Sequence, residues 1–167
     1  MFREGVLIGV AVQRACTCIE KHAPRLPPYL RYVIACTWLN CWCTAHRFQG
    51  RAFCPFCRGP SDAIEHVARC REVKALFRHY LGDTYETLAE FLGLHADFEA
   101  FSRHVLGLHA AKTALEAARL APGLASRSSA QAHFRAALQE SVRKWPGTAS
   151  RLRTLAVMPR NAAAAPR

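Results

Sequence analysis

Apolar residues recur at helical steps along most of this chain. Leu30, Val33, Ile34, Thr37, Trp38, Cys41, Ala45 and Phe48 share one face at three- and four-residue intervals, which predicts a helix from about Pro28 to Phe48. Pro28 suits its first turn, where no backbone donor is needed. A second stripe runs His66, Cys70, Val73, Phe77 and Tyr80, at steps of four, three, four and three. It predicts a helix over about 62–81, entered through Asp62 with Glu65 three residues on and stopped at Gly82. The pattern stays helical beyond. Asp83-Thr84-Tyr85-Glu86 reads as a capped start for a short helix to about Gly93, and Asp97 caps a longer one ending at Leu120, before Pro122-Gly123. A last helix starts near Ser128, carries Phe134, Ala137, Leu138, Val142 and Trp145, and stops at Pro146-Gly147.

These elements predict a mainly α protein, a small helical bundle. Residues 1–27 form an N-terminal segment without assignment, in which the apolar run 5–12 reads as a short buried strand or helix. Residues 28–82 hold the long helix and a cysteine-bearing turn-plus-helix, and 83–145 a helical region. Residues 146–167, rich in Ala, Arg and Pro, read as a disordered tail.

Charge changes the picture. The formal net charge is +11 over 167 residues. Residues 1–60 carry eight Lys/Arg against two acids, residues 61–145 eleven against ten, and the tail four arginines with no acid. A basic excess gathered in parts of the chain suits a polyanion, with nucleic acid ahead of membrane, although a basic surface also simply aids solubility. No apolar run approaches the ~20 residues of a spanning helix. Arg3 before the 5–12 run is a poor signal peptide, because Glu4 interrupts it and Gln13-Arg14 closes it. An intracellular chain, nuclear or cytoplasmic, is expected, with its thiols reduced.

The candidate chemistry is concentrated at Cys54-x2-Cys57-x8-His66-x3-Cys70. Two thiolates three apart in a tight turn, with a His and a Cys one helical turn apart, can complete a tetrahedral site for one Zn2+, a CCHC-type site. Pro55 inside the pair and Gly59-Pro60 after it favour the turn. A redox pair or a disulfide framework is the alternative for the same cysteines. The first would want an apolar strand ahead of it, where Arg47 to Phe53 is not one. Cys41 to His46 and Cys16-Thr17-Cys18 lack zinc spacing and read as buried thiols. His95, His104, His109 and His133 read as surface residues.

Trp38-Leu39-Asn40-Cys41-Trp42-Cys43-Thr44-Ala45-His46-Arg47-Phe48-Gln49, followed by the four-ligand motif with Ile64-Glu65-His66, resembles the zinc-binding segment downstream of the polymerase in LINE-type (non-LTR) retrotransposon reverse transcriptases. The resemblance covers about residues 30–81, and more loosely 101–145. It implies a non-catalytic accessory segment that helps a polymerase hold RNA or DNA, with a polymerase or another protein as partner. The chain carries no Tyr-x-Asp-Asp turn and no acid cluster for two magnesium ions, so it is not expected to be an enzyme.

For nucleic acid, the expected phosphate contacts are Arg71, Lys74 and Arg78 on the side of the metal helix, Arg58 on the metal turn, and Arg47 and Arg51 just upstream. Trp38, Trp42 and Phe48 could stack on bases, but at helical spacing beside Leu and Ile they read as core. Two other readings fit these signals: a structural zinc domain presenting a helical protein-docking surface, and a mobile-element remnant without a selected role.

Overall fold

A computed structural model describes residues 13–42, 44, 53–61, 63–93, 97–120 and 127–145. The expectations for the 5–12 run, Ala45, Phe48 and the tail lie outside them. The described chain is helical, with no strand among the described residues. Helix α1 covers 13–22 and leads through a 3-10 turn, Ala23–Arg25, into α2, Pro28–Trp38. Then come α3 (Ile64–Arg69), α4 (Arg71–Leu81), α5 (Leu88–Phe91), α6 (Phe98–Leu120) and α7 (Arg127–Lys144). None of these is long and apolar enough to cross a membrane.

Three boundaries differ from the sequence reading. Helix α2 stops at Trp38, because Asn40 takes a left-handed conformation (φ 48°) and the Cys41 amide bonds back to the Cys36 carbonyl at 2.6 Å. Trp42 then turns inward. It is fully buried beside Phe91, and its indole donates to Thr37 Oγ1 at 3.0 Å. Burying that ring outweighs one more turn of a half-exposed helix. Second, the expected single helix over 62–81 is two, broken at Cys70. Third, the capping box ahead of the short helix is Thr87 with Glu90, not Asp83 with Glu86. Asp83 is spent elsewhere. Asp97 caps α6 as read, its Oδ1 accepting the Ala100 amide at 2.8 Å.

Helix α6 is the axis of the fold. It packs on α2 and α4 and forms a hairpin with α7. Phe101, Val105, Leu106, Leu108, Ala111, Ala114 and Leu115 bury much of its length. The core gathers round Phe77 of α4, whose ring meets Tyr85, Phe91, His104 and Phe134 at 5.1–6.5 Å.

Gly107 makes the α4–α6 crossing possible. A Cβ there would stand 2.4 Å from Phe77 Cε1 and 2.6 Å from Leu81 Cδ1, both in the packed core. Gly107→Ala is therefore expected to destabilise by about 2–3 kcal/mol despite alanine's better helix propensity. Urea unfolding of the pair measures it; an equal or raised midpoint would show that the helices move apart freely.

The histidines sort unexpectedly. His133 is exposed and His109 is half-buried against Tyr29, its ring pushed towards the neutral form chiefly by burial. His104 is fully buried, not a surface residue. Its Nδ1 lies 2.6 Å from Asp83 Oδ2, and its Nε2 2.8 Å from the Phe91 carbonyl. A carbonyl only accepts, so Nε2 donates, and one proton is held between Nδ1 and the carboxylate. The pair ties α6 to the 82–87 loop and to the end of α5.

Candidate metal centre and basic surface

The metal turn is built by two backbone bonds. The Cys54 amide donates to the Gly59 carbonyl at 2.9 Å, and the Arg58 amide to the Cys54 carbonyl at 2.8 Å. Closing so tight a loop forces Arg58 into the left-handed region (φ 62°). It also brings Gly59 against the ligands: a Cβ there would stand 3.0 Å from His66 Cε1 and 3.1 Å from Cys57 Sγ. The Gly59 amide donates to Cys57 Sγ at 3.3 Å.

Helix α3 brings in His66, and the break at Cys70 brings in the last sulfur. Cys70 is extended (φ −65°, ψ 118°), ending α3 and serving as N-cap of α4. Its carbonyl accepts the first amide of α4, from Lys74, at 3.0 Å. The kink supplies what an unbroken helix would not: Cys70 turns back onto the turn while α4 keeps Val73, Phe77 and Tyr80 in the core. The four expected residues still converge, although the expected i, i+4 helical geometry does not hold. Asp62, the expected cap, lies outside the described residues.

The four ligand atoms of Cys54, Cys57, His66 and Cys70 all lie within 4.8 Å of one another. Cys54 Sγ and Cys70 Sγ are 3.9 Å apart, close to the edge of about 3.7 Å expected for two sulfurs on one tetrahedral zinc. Cys57 Sγ and His66 Nε2 are 3.2 Å apart. Three sulfurs and one imidazole nitrogen, with Cys54 and Cys70 buried, match a closed structural zinc site with no open position for substrate. Cys54 Sγ and Cys70 Sγ are in hydrogen-bond contact, and either thiol can donate. The Cys70 thiol is pushed down to about 5, chiefly because Cys54 donates to it and then because the Val73 and Glu72 amides of α4 face it. Cys54 is pushed up correspondingly.

Seven of the eight cysteines lie among the described residues, and none of the seven is in a disulfide. Cys18 is buried and Cys16 is exposed, not buried as the spacing argument expected. Neither Cys16 nor Cys41 joins a metal cluster among the described residues.

The expected basic residues divide. Arg47 and Arg51 lie outside the described residues, and Arg58 is exposed on the metal turn. Arg71, Lys74 and Arg78 do come together. With Arg69, which the sequence reading missed, they line an open recess of about 510 Å³ that also holds Glu72, Ala75 and Glu86. Arg69 and Arg71 flank Cys70, so the kink sets the candidate metal site and the recess side by side. Arg69 was legible only by its sequence neighbour Cys70, since it sits on the other helix. Arg69, Arg71 and Arg78 have no carboxylate partner among the described residues; Lys74 pairs with Glu86 at 3.0 Å. Of the aromatics read as core, Trp42 is core and Trp38 is half-buried, its indole donating to the Leu92 carbonyl at 3.0 Å. Phe48 lies outside the described residues.

No family model, curated protein or solved structure matches this chain.

Proposed function

We propose that this chain is a zinc-stapled, non-catalytic module that binds RNA or DNA mainly through phosphates. The recess carries this reading: four cations converge on one concavity against two carboxylates, on the two helices that the metal ligands fix. A zinc held by three thiolates and a neutral imidazole would leave a net negative centre, and Arg58, Arg69 and Arg71 lie next to ligands in sequence. Their guanidiniums would offset that charge locally and present the rest outward. The resemblance to the segment after the polymerase of LINE-type reverse transcriptases supports the same reading, that of an accessory that holds template or primer.

Phosphate contacts carry no sequence information, so binding should be insensitive to sequence and steeply sensitive to salt. The test is fluorescence anisotropy of a labelled RNA oligonucleotide with the zinc-loaded full chain. Arg71→Glu with Arg78→Glu reverses two exposed charges that support no packing. It should weaken binding on the order of a hundredfold at low salt and flatten the log–log salt slope by roughly 1.5 units. Unchanged affinity, with zinc content and melting intact, removes the recess as the contact surface.

A further inference from the structure

The recess already contains an anion of its own. Glu86 belongs to the loop between α4 and α5, yet its carboxylate reaches over to Lys74 Nζ at 3.0 Å and lines the same concavity as Arg69, Arg71 and Arg78. Exposed ion pairs are usually loose, since two long side chains must be ordered for little gain. This one is held from behind. Asp83, three residues earlier, is anchored on buried His104. Tyr85, next to Glu86, is buried between Phe77 and Phe91. The Glu86 amide itself donates to Glu90 Oε2 at 2.6 Å, and the Thr87 amide to the same oxygen at 3.0 Å. The backbone on both sides of Glu86 is therefore fixed. On the cation's side, the Lys74 ammonium also stands 5.4 Å from the Tyr85 ring, so Lys74 is positioned by the same loop.

Resting on the nucleic-acid reading above, we propose that Glu86 is the resident counter-anion of this recess, which a nucleic-acid phosphate must displace from Lys74 to bind. Glu86 then sets the affinity of the site. It holds Lys74 satisfied when no strand is bound, and its charge repels the arriving phosphate until the strand's other contacts with Arg69, Arg71 and Arg78 outweigh the lost pair. A single free phosphate, with no neighbours on a strand, should compete poorly with a carboxylate tethered at the site. A polyanion that engages several guanidiniums together should succeed. The recess thereby discriminates strands from small phosphates without reading any base.

The experiment compares Glu86→Gln with the parent, both zinc-loaded and full length, for binding a fluorescein-labelled RNA oligonucleotide by anisotropy across a salt series. Glu99→Gln is the matched control. It also removes one carboxylate and releases one cation, Arg103, but Glu99 does not line the recess. Glu86→Gln should bind roughly fivefold tighter at low salt. Its log–log salt slope should steepen by about 0.7–0.9 units as Lys74 joins the contacts. Glu99→Gln should bind as the parent does. A parent that binds while Glu86→Gln binds no tighter overturns the role of Glu86 and leaves the recess reading standing. Equal tightening in both variants also overturns it, since net charge alone would then explain the gain. No binding by the parent or by Glu86→Gln overturns the nucleic-acid reading itself.

Discussion

Cys70→Ser protein is expected to purify without zinc and to melt with the region around α3 and α4 already unfolded. The parent should carry one zinc per chain by elemental analysis. Structural zinc contributes on the order of 10 kcal/mol to the folding of small modules, because the ligands are brought together only in the folded state. Here α3 adds only Ile64, Val67 and Ala68 to the core, and the metal turn only a short buried loop. The loop 53–61 is held by its two closing backbone bonds, the Gly59 amide on Cys57 Sγ and the burial of Cys54 and Phe56. Cys70 is the most damaging position because it has three tasks. It is a candidate ligand, its sulfur contacts Cys54 Sγ, and it caps α4. Serine can still cap a helix, so loss of structure in this variant isolates the metal from the cap. Hydrogen exchange at Val67 and Val73 reads the local unfolding directly. Affinity should also rise with pH through the range where the remaining thiols ionise, since binding zinc expels their protons. A Cys70→Ser protein with one tightly bound zinc, or with the parent's exchange protection, would exclude a structural metal at this site.

His104→Ala should be the costliest substitution away from the metal, by about 3–5 kcal/mol. It leaves the Asp83 carboxylate buried without its partner, strands the Phe91 carbonyl and opens a cavity among Phe77, Tyr85 and Phe91. Urea unfolding measures the loss. A double-mutant cycle with Asp83→Ala then separates the pair from the cavity, because the second change should cost far less once the first is made. Additive costs would show that the two side chains do not act as a pair.

The candidate metal ligands were legible in the sequence because such chemistry depends on residue type and spacing. Two thiols in a tight turn, and a His and a Cys a short distance on, can meet around one ion in several backbone geometries. The four atoms therefore converge even though Cys70 breaks the helix on which they were first placed. The break itself was invisible. Nothing in Val67-Ala68-Arg69-Cys70-Arg71 disfavours helix, and only the need to aim Cys70 Sγ at Cys54 while α4 buries Phe77 selects the extended conformation there. Helix α2 failed at its end for a related reason. The three- and four-residue spacing continued past Trp38, while a buried place for Trp42 ended the helix.

Local pattern thus determined the helical class, the α6 and α7 segments, the cap at Asp97 and the identity of the four ligands, since these rest on interactions a few residues apart. Long-range packing decided the rest. His104 looked like a surface residue because its partner Asp83 is 21 residues away. Arg69 joins Arg71 and Arg78 only across the kink. Glu86 meets Lys74 only because Asp83 and Tyr85 are drawn into a core assembled from α4, α5 and α6. Such contacts form between segments distant in sequence, and their energy exists only once the whole core has closed.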